Sequence, residues 1–249
     1  MNAKQIIRKR NIVLVGFLLL TAVFVVAITL VFIRVKDYNM MTLINIVLVF
    51  TLTLISLLFR STLYGYNNMV RIARVVLNQA KPVSYSKNIA KYTAPLVDKG
   101  YTLYTTNETY SLYYLHTIDE RIKVKKIWQV SIILILKKQD TDFYDKNLHN
   151  EIAKLESTFQ KREFPQKYMI IAFKEFDTMD DKAIHDIGEV VSYRTNRHSY
   201  TQINVGMAQD SKKAYFLYSN TYYPTYYYKD AVDLIFELIG TKRMNTKSE

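Results

Sequence analysis

The chain has 249 residues, 34 Lys and Arg against 22 Asp and Glu, a formal net charge of +12, 49% hydrophobic residues and no cysteine. Without cysteine there is no disulfide scaffold, thiol nucleophile, iron–sulfur cluster or Cys-based zinc site, and the length allows one or two domains. The charge resembles a nucleic-acid signal until it is divided: residues 1–100 hold 13 Lys and Arg against 2 acids, and residues 101–249 hold 21 against 20. A domain that displaces phosphate counterions needs clustered cations, which the nearly neutral second part lacks, so no nucleic-acid partner is expected.

Residues 1–11 are a basic stretch carrying Lys4, Arg8, Lys9 and Arg10. The uncharged run 12–33 follows, 22 residues of which 17 are Leu, Ile, Val or Phe. As a helix it spans about 33 Å, enough for a hydrocarbon core of roughly 30 Å. Its insertion is favourable by about 5 to 10 kcal/mol on a per-residue scale. Arg34 and Lys36 stand where a small-x-small cleavage site would follow, so the run reads as a retained anchor and not a signal peptide. After a short connection, 34–41, the run 42–59 has 13 of 18 residues from the same apolar set. Two transmembrane helices are predicted, with the lipid bilayer as first partner. Eight cations flank them at Lys4, Arg8, Lys9, Arg10, Arg60, Arg71, Arg74 and Lys81, against Arg34 and Lys36 in the connection. The positive-inside rule then places both chain ends on the cytoplasmic side of a cell membrane, with Lys4, Arg8, Lys9, Arg10, Arg60, Arg71 and Arg74 at the membrane surface. Within the second span Thr42, Asn45, Thr53 and Ser56 lie near one face, and Asn45, Thr53 and Ser56 are the expected helix–helix contacts, with the first span or with another copy.

Residues 60–91 read as a juxtamembrane helix ending near Lys81-Pro82, either lying on the inner leaflet or, more simply, continuing the second span, and then a polar linker. Residues 92–240 are long enough for one compact cytoplasmic α+β domain, and 241–249 are a tail. Runs 101–105 and 109–116, rich in Tyr, Thr and Leu, predict a hairpin. The run 127–136 is apolar nearly throughout, as in a central strand. Leu148, Ile152, Leu155 and Phe159 make the stripe of a helix over 143–161, closed by Phe164-Pro165. A strand over 168–173 then suggests a parallel crossover, and a helix follows from Thr178 with Ile184, Ile187 and Val191 inward. Alternation at 201–207 predicts a strand with 214–218 as its neighbour, and a last helix covers 229–239 with Gly240 at its end. The expected whole is a membrane helical hairpin followed by a cytoplasmic domain with a mixed sheet and about three helices.

The chemistry-bearing patterns are sparse. Asp181, His185 and Glu189 share a helical face at the spacing a cation could use, although an ordinary solvated face has the same spacing. Asp180-x-Lys182, with Asp140 or Asp142 upstream, resembles the carboxylate–lysine pair of a metal-dependent nuclease, but that pair belongs on strands and this one falls at a helix start. No Gly-rich phosphate loop, Gly-x-Ser-x-Gly or His-Glu-x-x-His occurs. No catalytic residue, cofactor or resident metal is therefore assigned. Tyrosine is abundant, 21 in all, and Tyr222, Tyr223, Tyr226, Tyr227 and Tyr228 crowd a loop before the last helix. Tyr joins apolar area to a polar tip, so these five are the expected partner-binding residues. The expected function is that of a membrane-anchored protein of bacterial type whose domain binds a protein partner or joins a membrane assembly, a homo-oligomer included. A tethered metal-dependent hydrolase or nuclease, or a small membrane sensor, is the alternative.

Overall fold

A computed structural model describes residues 2–122, 126–194 and 198–242. The chain divides into two units, Met1–Leu77 and Asn78–Glu249.

The first unit is a pair of long helices. Helix α1 (Ala3–Arg34) opens on a capping box in which Asn2 and Gln5 answer each other's backbone amides. Helix α2 (Tyr38–Leu77) opens at Asp37, whose carboxylate accepts from the amides of Asn39 and Met40 at 2.8 and 3.1 Å. The two run antiparallel, with the Phe17 and Phe59 rings 5.2 Å apart. Both contain a window long and apolar enough to cross a membrane, and none of either window is buried. Helix α2 is unbroken to Leu77, so the helix beyond the apolar run continues the second span, the simpler of the two readings of residues 60–80. Gly65 lies in open space and Pro82 comes too late to interrupt it.

The second unit is an eight-stranded mixed sheet flanked by helices. Its strands are β1 (Val83–Ser84), β2 (Thr102–Thr106), β3 (Tyr110–Ile118), β4 (Trp128–Leu136), β5 (Lys167–Phe176), β6 (Val191–Arg194), β7 (Ser199–Ala208) and β8 (Lys213–Tyr215). Its helices are α3 (Ala94–Asp98), α4 (Lys146–Thr158), α5 (Asp181–Gly188) and α6 (Tyr226–Leu238). The order across the sheet is β1-β8-β7-β5-β4-β3-β2, with β6 beside β7. Strands β2, β3 and β4 form an antiparallel meander, and β4, β5 and β7 run parallel through the α4 and α5 crossovers. Strand β7 pairs with β5 along its whole length, while its other edge is shared between β6 at one end and β8 at the other.

Both faces of the sheet are covered. Ile132, Leu134 and Leu136 of β4 and Ile170 and Ala172 of β5 join Leu148, Ile152 and Leu155 of α4 and Ala183 and Ile187 of α5 in one core. The intervening positions, Ile133, Ile135, Ile171 and Phe173, are equally buried on the side where α6 lies against β5 and β7.

The predicted hairpin, central strand, parallel crossover and terminal helix are all present, with ends displaced by a few residues. Helix α4 is shorter than 143–161 because Asp145 caps it from its own side chain. Helix α5 starts after Asp180, not at Thr178, for the same reason. Residues 83–91 are not a free linker. Val83 and Ser84 pair with Ala214 and Lys213, the amides of Ser86 and Lys87 donate to the Ile239 carbonyl, and Ile89 is fully buried.

At Gly206 α5 packs close against β7. A Cβ there would lie 2.2 Å from Ile187 Cδ1 and 3.1 Å from Met179 Cε, whereas Gly188 has nothing within 4 Å. Gly206→Ala is expected to cost about 1–3 kcal/mol through overpacking, and Gly188→Ala under about 0.5 kcal/mol. Urea unfolding followed by the single tryptophan, Trp128, measures both.

Candidate functional site

The carboxyl ends of β4 and β5 open onto the loops that lead into α4 and α5, the usual position of a ligand crevice in an open α/β sheet. A cavity of about 520 Å³ lies there. Its walls carry Asp140 and Asp142 from the first loop, Asp177 and Asp180 from the second, and Asp186 and Glu189 from the end of α5, against Lys174 and Lys182. Six carboxylates and two ammonium groups make the cleft attractive to cations.

Lys174 forms part of the floor and is itself buried. Its ammonium donates to the carbonyls of Gln139 at 3.1 Å and Thr141 at 2.8 Å and sits over the rings of Phe143 and Phe176, at 4.4 and 4.9 Å from their centroids. Loss of solvation pulls its pKa below the usual lysine value, partly offset by Asp186, Asp142 and Asp140. The lysine thereby ties the β4–α4 loop to the sheet.

Strand β7 holds the opposite wall. The Asn204 amide donates to the carbonyls of Glu189 at 2.9 Å and Asp186 at 3.2 Å, and the Tyr144 hydroxyl donates to the same Glu189 carbonyl at 2.5 Å. Gln202 donates to the Phe143 carbonyl at 3.2 Å. These bonds saturate the end of α5 and a loop of the cleft from beneath. The burial this requires pushes the Tyr144 hydroxyl up to about 12.

The structure thus brings Asp140, Asp142, Asp180, Lys182 and Glu189 to one cleft, although they are 49 positions apart in sequence at the extremes. Asp181 and His185 do not line it. His185 is exposed, 3.8 Å from Glu189 and 3.7 Å from Asp186, and among the described residues no three His, Asp or Glu side chains gather as a metal would require. Asp180, read with Lys182 as a nuclease-like pair, spends one carboxylate oxygen on the Ala183 amide at 2.7 Å as the α5 cap. The contribution of Lys174, Asn204 and Tyr144 was not legible in the sequence. Lys174 on a strand of apolar neighbours was the one available signal.

The tyrosine segment is divided. Tyr226 is 77% exposed, and Tyr222 and Tyr223 are half-buried. The Tyr227 hydroxyl donates to the Asp119 carboxylate, and its ring lies 4.7 Å from the Arg121 guanidinium, which also pairs with Asp230. Tyr228 is fully buried and donates to the Leu217 carbonyl at 2.6 Å, so it is a core residue and not a contact residue. The reason is that α6 begins at Tyr226 and not at 229. Thr225 caps it by accepting from the Tyr228 amide at 3.1 Å, which turns Tyr228 inward in line with Ala231, Val232 and Ile235.

On the hairpin, Lys4, Arg8 and Lys9 are exposed, Arg10 is half-buried, and Arg60 and Arg74 are exposed on α2 with Arg71 half-buried. The hydroxyls of Thr53 and Ser56 donate to the carbonyls four residues back, Val49 at 2.8 Å and Leu52 at 2.7 Å, and so supply no donor to a neighbouring helix. Asn45 is half-buried.

Burial raises the pKa of Tyr228 above its ordinary value and that of Tyr101 to about 12. The folded state therefore keeps these protons when the unfolded chain, titrating near 10, has released them. Their contribution to stability is complete below about pH 10 and is lost as pH rises through the folded values, by about 1.4 kcal/mol per pH unit for each group. Urea midpoints between pH 9 and 11.5 should fall, and Tyr228→Phe should fall less steeply while starting about 1 kcal/mol lower. Tyr226→Ala should leave the curve unchanged. No family model, curated protein or solved structure matches this chain.

Proposed function

We propose that this chain is a membrane-anchored binding protein. Residues 12–33 and 42–59 cross the bilayer as a hairpin, both ends lie on the cytoplasmic side, and the α/β domain recognises a protein partner there. The observation that carries this is the outward-facing apolar surface of α1 and α2: Leu19, Val23 and Ile33 on one helix, and Leu43, Phe50 and Leu58 on the other, are each at least 60% exposed. Water is a poor solvent for such a surface and a bilayer is a good one. The cations support the orientation. Lys4, Arg8, Lys9 and Arg10 on α1 and Arg60, Arg71 and Arg74 on α2 fall at the same end of the antiparallel pair, with only Arg34 and Lys36 at the other. On the domain, Tyr226 with its half-buried neighbours Tyr222 and Tyr223 supports partner recognition.

The acid-walled cavity favours a second reading, a sensor domain that takes a small cationic ligand between the α4 and α5 loops. A metal-dependent hydrolase has less to recommend it, since the carboxylates are spread round the rim.

Membrane fractionation with alkaline carbonate should leave the full chain in the pellet. A cysteine introduced at Asn39 should be labelled by an impermeant maleimide from outside intact cells, and one introduced at Lys242 should not. Co-purification in mild detergent should yield a partner whose yield drops at least several-fold on Tyr226→Ala. A chain that purifies alone and is thermally stabilised by spermidine, with Asp186→Asn abolishing the shift, would replace the partner reading with the sensor reading.

A further inference from the structure

One face of α1 changes from cationic to apolar along its length. Lys4, Arg8, Ile12, Val15 and Leu19 recur at intervals of three or four residues and so share that face, with Asn11 beside them where the character changes. All six are exposed, and they line an open groove of about 600 Å³. Gly16 deepens the groove: a Cβ there would have nothing within 4 Å, so the helix backbone itself is open to whatever lies along it. Phe17, which meets Phe59 of α2, does not line the groove. The cations at its head have no acid of their own unit to answer them. Residues 1–77 contain a single acid, Asp37, and it stands beyond the far end of α1.

Resting on the membrane anchoring proposed above, we infer that this groove is the seat of one anionic phospholipid, its phosphate on Lys4 and Arg8 and one acyl chain along Ile12, Val15 and Leu19. The order of groups down the helix is the order of groups down the lipid. Ile12 to Leu19 descends about 10 Å, which stays within one leaflet of a core roughly 30 Å thick. The Arg8 guanidinium matches a phosphate with two parallel N–H···O bonds, and Lys4 adds a compact charge. Both side chains are long enough to lay their stems on the apolar surface and hold their charges at the headgroup level. The Asn11 carboxamide donates at the depth of the ester carbonyls. A net negative headgroup is favoured over a zwitterionic one, whose own ammonium competes for the phosphate, and the cytoplasmic leaflet is the anionic one. Other occupants fit the face less well. A second copy with the same topology would set Lys4 and Arg8 against their like-charged counterparts at the same depth, and a water-soluble protein does not reach Val15 and Leu19.

Native mass spectrometry of the full-length chain in mild detergent counts bound lipids as dioleoylphosphatidylglycerol or dioleoylphosphatidylcholine is titrated in. The first phosphatidylglycerol should bind about ten-fold more tightly than the first phosphatidylcholine. The double variant Lys4→Gln with Arg8→Gln should bring that preference below about two-fold. Lys9→Gln with Arg60→Gln removes the same charge from exposed positions that do not line the groove, and it should keep the preference. Gly16→Leu fills the groove without touching a charge and puts a better helix former in place of glycine, so it should weaken phosphatidylglycerol binding several-fold in a folded chain. Equal affinity for the two lipids, a preference that survives loss of Lys4 and Arg8, an equal loss in both double variants, or wild-type binding by Gly16→Leu would each overturn the inference. Carbonate extraction of the same chain from its native membranes separates the two levels: a resistant chain without lipid preference fails only as a lipid site, and a released chain removes the anchoring and the lipid site with it.

Discussion

Strand β7 is the member on which the domain depends. Its ten residues are paired with β5 along one edge, and the two ends of its other edge are paired with β6 and β8, while nine of the ten side chains are buried. Ile203, Val205 and Met207 fill the side facing α6. The other side carries Gln202, Asn204 and Gly206, an uncommon choice for a buried strand. A buried amide without a partner costs several times what a satisfied one contributes, so Gln202 and Asn204 fix whatever they bond to. They bond to the Phe143, Asp186 and Glu189 carbonyls, and Gly206 admits Ile187. The position of α5, and with it one wall of the acidic cleft, follows from these three residues.

The cleft owes its charge partly to folding. Helices that start at the carboxyl ends of parallel strands need caps, and Asp145 and Asp180 supply them, while Asp142 accepts from the Tyr144 amide at 2.9 Å. Of these three, Asp142 and Asp180 line the cavity, and Asp140, Asp177, Asp186 and Glu189 add to the acid there. Lys174 balances them at a distance. A buried ammonium needs dense coordination, and it finds two carbonyls and two aromatic faces in place of a carboxylate. Its contacts hold the loop, and its charge tempers the field in the cavity.

The two units put the same residue types to opposite use. In the domain Leu, Ile, Val and Phe fill the space between sheet and helices, whereas in α1 and α2 they face outward. Two helices alone cannot enclose their own apolar stripes, since each covers only one side of the other. Backbone groups in α1 and α2 are satisfied within each helix, which is what an apolar solvent demands, and the threonine and serine hydroxyls follow the same rule by bonding back four residues. Asn45 is the residue that breaks it.

Much of this was legible from residues 12–59 alone, because an uncharged apolar run of that length has few alternatives as a helix. The β4 run and the stripes of α4 and α6 were legible for a similar reason: periodicity is a local property, and each of these segments is long enough to display it. Short elements were not, since β1, β6 and α3 have two, four and five residues and exist through their neighbours. The capping residue Thr225 starts α6 early enough to turn Tyr228 into the core. The cleft was illegible for a deeper reason. Asp140, Lys174, Asp186 and Asn204 become neighbours only through the parallel order of β4, β5 and β7, and that order is set by long-range pairing that no window of sequence contains. Composition and period determined the two apolar helices and the class of domain beyond them. Which polar side chains share a site, and which of the tyrosines face out, was decided by tertiary structure, because burial and hydrogen bonding are properties of the assembled sheet and its helices.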